Sequence, residues 1–459
     1  MNTKVKTICL TACLLLVTTF LFAQAPYSLR TCLEYAVENN RNQKKMRYDV
    51  EKASYARKEV LGALLPQINA SANLNDNLKK AKFIMPNFLN SMLPPQAQDP
   101  KAPKYMTVEM GTTYSANAGF SLNQQVVNFS LFNALAIAQT AEKLAALGAE
   151  SNEEELIAQS AEVFYAIQST EYAAEQMEKS IELVGRMLKT MEVNYANGLV
   201  RKTDLDRLKV NLVNLTTQKS AIENAASVQK NLLKLQMGLD VNLPFEVEAV
   251  DWSFFEEKAS SETVVPFSLQ GQTPYCLLRE QMHLIELQKK SAIYENLPTL
   301  SLMLNYQYNG MSDQLFRGES NYWYPTSVLG LSLRVPIFSG FSRRSKIHQA
   351  RMEELKARED AVQLEQSLNM AYMNAQMKLQ DARHTLTLQR DNRGLAEEVF
   401  RTAENNFVLG LSSLSDVLNA SQSLVQAQLS YANALNECMK SLIELKKAGG
   451  NIRELMNVK

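Results

Sequence analysis

Four stretches of the chain alternate apolar and polar residues with a period of two, the period of a strand whose faces meet different surroundings. Ile68, Ala70, Ala72 and Leu74 alternate with Asn69, Ser71 and Asn73, and Tyr114, Ala116, Ala118, Phe120 and Leu122 with Ser115, Asn117, Gly119 and Ser121. Leu300, Leu302, Leu304, Tyr306 and Tyr308 are set against Thr299, Ser301, Asn305, Gln307 and Asn309; Leu329, Leu331, Leu333 and Val335 are set against Gly330, Ser332 and Arg334. The pattern predicts strands over 67–76, 113–127, 299–309 and 327–337. Runs of about nine to eleven residues are what a tilted strand needs to cross a hydrocarbon layer with one face to lipid and one to a wet lumen. Aromatic residues flank them where interfacial girdles would lie: Tyr322, Trp323 and Tyr324 on one side, Phe129, Phe132, Phe338 and Phe341 on the other.

The pattern then changes to a helical one. Positions 130–196 and 343–408 contain no proline and are rich in Ala, Leu, Glu, Gln and Lys. At 1.5 Å per residue each helix would reach about 100 Å. Each ends at a glycine, Gly198 or Gly410, followed by Thr203-Asp204 or Ser415-Asp416, which reads as a C-cap and then the N-cap of a returning helix. On the first return arm Leu205, Leu208, Leu212 and Leu215 have the spacing of a coiled-coil seam. Antiparallel helical hairpins are therefore expected over 130–240 and 343–448, with shorter helices at 29–63 and 274–296.

These features recur in one order in both halves. Leu65-Pro66 corresponds to Leu297-Pro298, Gly119-Phe120-Ser121-Leu122 to Gly330-Leu331-Ser332-Leu333, and Gly198-Leu199 with Asp204 to Gly410-Leu411 with Asp416. The chain reads as two repeats, 26–248 and 249–459. The first repeat carries a longer excursion between its strands, from about Asn77 to Thr113, counterpart of Gly310 to Pro325. It contains Pro86, Pro94, Pro95, Pro100 and Pro103, a density that predicts an exposed segment without regular structure.

Composition narrows the function classes. Lys+Arg and Asp+Glu each number 48, so no net field draws the chain to nucleic acid. Lys4 and Lys6, the apolar run Thr7 to Phe22 and Ala23-Gln24-Ala25 read as a secretory signal over 1–25, with the mature chain starting near Pro26. Leu10-Thr11-Ala12-Cys13 lies too early in that run for a lipidation box. No later run approaches the ~18 apolar residues of a membrane helix, so any membrane-spanning part must be β. Cys32, Cys276 and Cys438 are dispersed and read as packing residues, and His283, His348 and His384 lack partners at metal-ligand spacing. No phosphate-cradling loop, nucleophile elbow or His-Glu-x-x-His pair is present, so neither catalysis nor a cofactor or metal is expected. Four strands cannot close a barrel, for which about eight are needed, so copies of the chain must share one; a trimer with twelve strands is the simplest closure.

This order of helix, Leu-Pro, strand, loop, strand, long helix, Gly-Leu turn and returning helix resembles the outer membrane efflux protein family, the TolC-like channels. Asn197-Gly198-Leu199-Val200 with Thr203-Asp204, and Gly410-Leu411 with Ser415-Asp416-Val417-Leu418, are similar to that family's hairpin tips. The resemblance implies a mixed α and β membrane protein: a homotrimer whose twelve-stranded barrel in outer-membrane lipid continues into a periplasmic α-helical barrel. It implies a passive exit duct whose tips (Gly198, Leu199, Val200, Thr203, Gly410, Leu411 and Ser412) meet a periplasmic adaptor belonging to an inner-membrane pump. It also implies a periplasmic constriction near Asp204 and Asp416, where Arg201 and Lys202 are candidates to pair with Asp416 of a neighbouring hairpin. Ser412, Asn419 and Phe407 depart from the residues that some members place at the latch. Two other readings stand beside efflux: a channel for type I protein secretion, and a periplasmic coiled-coil scaffold with a small soluble sheet.

Overall fold

The computed structural model describes residues 26–99, 101–249, 266–315 and 322–457; the signal segment expected over 1–25 lies outside them. In chain order the elements are α1 (Leu29–Asn39), α2 (Arg41–Ala63), β1 (Gln67–Asp76), β2 (Ala81–Pro86), α3 (Phe88–Met92), β3 (Tyr105–Met110) and β4 (Tyr114–Val127). They continue with α4 (Phe129–Ala196), α5 (Lys202–Met237), α6 (Thr273–Tyr294), β5 (Thr299–Ser312), β6 (Tyr322–Arg334), α7 (Ser342–Val408) and α8 (Leu414–Ala448). Two compact units result, one holding the strands and the helix segments next to them, the other the remaining helices.

In the strand-bearing unit β1, β4, β5 and β6 form one antiparallel sheet in that spatial order. The registers carry the alternation across all four strands. Ile68 lies opposite Leu122, Leu122 opposite Leu304 and Leu304 opposite Leu329, and the next row on this face is Ala70, Phe120, Tyr306 and Ser327. The other face carries Asn73, Asn117 and Asn309, where Asn73 Nδ2 donates to Asn117 Oδ1 at 2.9 Å and Asn309 Nδ2 to Thr326 Oγ1 at 2.9 Å. The apolar face is uncovered: Ile68, Leu329 and Leu331 are 67%, 70% and 70% exposed. Among the described residues β1 pairs only with β4 and β6 only with β5, which leaves both outer edges open.

Two strand-region expectations change. The proline-rich excursion holds regular structure, since β2 and β3 form a ribbon with Phe83 opposite Val108 and Lys82 opposite Glu109. Its described prolines fall where no ladder N–H is asked of them: Pro86 ends β2, Pro94 and Pro95 follow α3, and Pro103 precedes β3. β6 begins at Tyr322 and runs through Pro325, which an edge strand tolerates, and it stops at Arg334, two residues before Pro336. Tyr322, Trp323 and Tyr324 do not share a face, because a strand alternates. Trp323 lies on the apolar side, stacked on Tyr308 with ring centroids 5.8 Å apart. Tyr322 and Tyr324 lie on the polar side.

The excursion is tied to the β5–β6 connection by Asp313, which accepts from Lys80 Nζ at 2.7 Å and from Thr113 N at 3.0 Å. These partners hold its carboxyl below the usual range, Lys80 first.

In the helical unit the expected 29–63 helix is broken at Asn40. Asn40 Oδ1 accepts from the N–H groups of Asn42 and Gln43, capping α2, and its Nδ2 donates to Gln236 O at 2.7 Å. Gly238 ends α5 with φ 71°, and a Cβ there would meet Asn39 O at 2.6 Å. One core gathers Leu33, Ile157, Phe164, Leu233, Leu435 and Ile443; a second joins Met177, Val184, Leu208, Leu215, Val417 and Leu424. The seam leucines Leu205, Leu208 and Leu215 are buried and Leu212 half-buried. Cys32 and Cys438 are core residues, and burial pushes the Cys32 thiol up to about 12. Among the described residues no helix is long and apolar enough to cross a membrane.

Gly119 holds the β4–β5 pairing close: a Cβ there would meet Tyr306 O at 2.2 Å, whereas at Gly330 it would meet only Met303 Cγ at 3.4 Å. Gly119→Val is therefore expected to loosen β4 and β5, read as faster amide exchange in both strands, while Gly330→Ala leaves exchange unchanged.

Candidate functional site

The two hairpin turns are built alike. Gly198 and Gly410 take φ 74° and 75°, a left-handed conformation suited to glycine. Leu199 N donates to Asn194 O at 2.8 Å and Leu411 N to Asn406 O at 2.7 Å; Gly198 N donates to Tyr195 O and Gly410 N to Phe407 O. This closes the last carbonyls of α4 and α7 in a Schellman-type motif. Turning the backbone this way leaves leucines outward: Leu199 is 73% and Leu411 75% exposed, with Val408 and Leu409 beside the latter. Val200 instead tucks against the core that holds Leu205 and Leu208.

The returning helices start earlier than the Thr203-Asp204 and Ser415-Asp416 reading placed them. The N-caps are Arg201 and Ser413, so Thr203, Asp204, Ser415 and Asp416 occupy first turns. Arg201 makes no side-chain cap, whereas Ser413 forms a full capping box. Its Oγ accepts from Asp416 N at 3.3 Å, and the Asp416 carboxylate accepts from Ser413 N at 2.9 Å and Ser413 Oγ at 2.7 Å. These bonds, the Ser413 hydroxyl foremost, hold the Asp416 carboxyl below its ordinary range. The Ser-x-x-Asp spacing at 413–416 was the signal for this cap.

Within the protomer Arg201 and Lys202 form no ion pair among the described residues, and Ser413 occupies the Asp416 carboxylate. Arg207 makes the cross-hairpin contact instead, its Nη1 donating to Ser415 Oγ at 3.3 Å. Beside it an open groove of about 530 Å³ runs between α5 and α8, lined by Thr203, Asp206, Asn211, Leu418 and Asn419. Ser412 Oγ donates to Ala403 O at 3.1 Å. Further along the helices Arg393 Nη1 donates to Tyr172 Oη at 2.7 Å and its guanidinium lies 4.2 Å from the Tyr431 ring centroid. That clasp joins α4, α7 and α8, and the spacing of residues along one helix gave no hint of it.

The family model described as "Outer membrane efflux protein" matches residues 288–451. The outer membrane protein TolC of Vibrio cholerae is 20% identical over 392 residues, covering 85% of this chain and 83% of the relative. That of Escherichia coli is 21% identical over 359 residues, covering 74% and 70%. The matched segment is similar to the outer membrane efflux protein family. Among solved structures, the CmeC outer membrane channel of Campylobacter jejuni is similar with a TM-score of 0.72 at 16% identity, covering 92% of this chain and 86% of that one. The outer membrane protein VceC of Vibrio cholerae gives 0.68 at 14% identity, covering 92% and 96%. The fold is that of this family of channels, and the family match includes the second tip, Gly410 to Asp416.

Replacing Ser413 with Ala is expected to speed amide exchange at Asp416 and Val417 about fivefold at pH 7, the usual effect of a lost cap. Because the folded-state pKa of Asp416 is depressed, the contribution of its carboxylate is present above the unfolded pKa and lost as pH falls through the folded one. Exchange in that turn of the unaltered protein is thus expected to accelerate on acidification below pH 4, relative to the first turn of α5.

Proposed function

We propose that the chain is the exit duct of an efflux system: a homotrimer in the outer membrane, passive itself, that takes cargo from an inner-membrane pump through a periplasmic adaptor. The match of residues 288–451 to the outer membrane efflux protein model and the likeness to the TolC proteins support an outer-membrane channel of efflux systems, with a periplasmic portion. The observation that carries the mechanism is the four-stranded sheet with one apolar face, one polar face and two open edges. In hydrocarbon every backbone polar group must be paired within protein, so a spanning sheet has to close. Head-to-tail addition of two further copies pairs β1 with β6 of the next protomer, gives twelve strands, turns the apolar face to lipid and encloses the polar one.

No step requires chemistry by the protein. The wall supplies hydrogen-bonding groups to solutes passing along it, and the pump supplies energy. The tips offer the adaptor exposed leucines on rigid, glycine-closed turns, a pre-formed surface whose ordering cost is small.

Leu199→Asp combined with Leu411→Asp is expected to weaken adaptor binding by roughly a hundredfold, from the loss of two buried leucines. Cells carrying it should become as sensitive to exported toxic compounds as cells lacking the gene, with the amount of trimer unchanged. Full export by the double variant would contradict the assignment of the tips.

A further inference from the structure

We infer that Arg334 sets the charge preference of the duct at the membrane barrel, favouring anionic over cationic solutes. The inference rests on the exit-duct reading and adds a class of cargo to it.

The register decides where Arg334 points. It lies opposite Thr299, and Ser332 lies opposite Ser301. Both pairs belong to the face that carries Asn73, Asn117 and Asn309, and not to the face of Leu304 and Leu329. Along all four strands that polar face is built from amides, hydroxyls and glycine with a few neutral larger side chains, and Arg334 is its one charged residue. Asp76 and its strand partner Tyr114 lie on the other face, at the strand ends. Arg334 is exposed and makes no ion pair among the described residues, unlike the nearby Lys346, which is bonded to Glu295.

An amide and hydroxyl wall offers donors and acceptors to either sign of ion and discriminates little between them. A lone, unneutralised guanidinium on such a wall therefore decides the sign of its field. Three copies form a ring of three cations at the β6 end where the chain turns into α7.

The test is the reversal potential of the trimer in planar bilayers under a potassium chloride gradient, for the unaltered protein, R334Q, R334K and R334E. R334Q is expected to lower the chloride-to-potassium permeability ratio roughly two- to fivefold in ~0.1 M salt. That is the size expected for three unit charges about 10 Å from the pore axis after one Debye length of screening. R334E should lower it further and R334K should preserve it. The differences should shrink in 1 M salt, where the Debye length is about 3 Å. Equal ratios in R334Q, R334E and the unaltered protein would overturn the inference, as would R334K behaving like R334Q, which would mark a structural role. An unaltered protein that inserts no channels would instead remove the exit-duct reading itself, and the inference with it.

Discussion

A sheet that enters hydrocarbon cannot leave its backbone edges unpaired, because each bare N–H or C=O there costs several kcal/mol. The four strands of this protein have such edges along β1 and β6, and the apolar face between them is uncovered. In the proposed trimer, copies of the same chain satisfy both conditions. With an even number of antiparallel strands, β1 and β6 run in opposite directions, so each protomer can add to the next in the pattern the sheet already has. A ring closed this way has no residual edge to recruit other proteins. The two unlike faces follow from the same requirement, since closure separates a lipid side from a water side.

The internal repeat explains how one chain builds both the sheet and the helical hairpins. Each repeat supplies two strands of the four-stranded sheet, a helix of 68 or 67 residues and a returning helix of 36 or 35. Each changes direction at a glycine whose left-handed conformation closes the long helix with the same pair of hydrogen bonds. The repeats are not equivalent in their polar detail. The second tip has a capping box and a preoccupied carboxylate; the first has an uncapped start at Arg201 and sends Arg207 across to Ser415. Rigid turns with outward leucines are common to both, and it is that shared part which suits a docking role.

What the sequence disclosed follows from the range of each interaction. Strand alternation at Ile68 to Leu74 or Leu300 to Tyr308 and the tip glycines are set by neighbours a few residues away, so they can be read directly. The break at Asn40 depends on a partner far along the chain, Gln236. The density of prolines in the excursion hides the β2–β3 ribbon, because the positions of the described prolines leave its ladder intact. The clasp of Arg393 with Tyr172 and Tyr431 joins three helices, and no local spacing encodes it. Thr203-Asp204 and Ser415-Asp416 have the residue types of caps, but the turn geometry puts the caps two or three residues earlier, at Arg201 and Ser413.

Native mass measurement on protein extracted from the cell envelope tests the central claim most directly. Detergent should be required for extraction, and the released particle should weigh three times the single chain. A single chain that stays soluble and folded in water without detergent would contradict the claim.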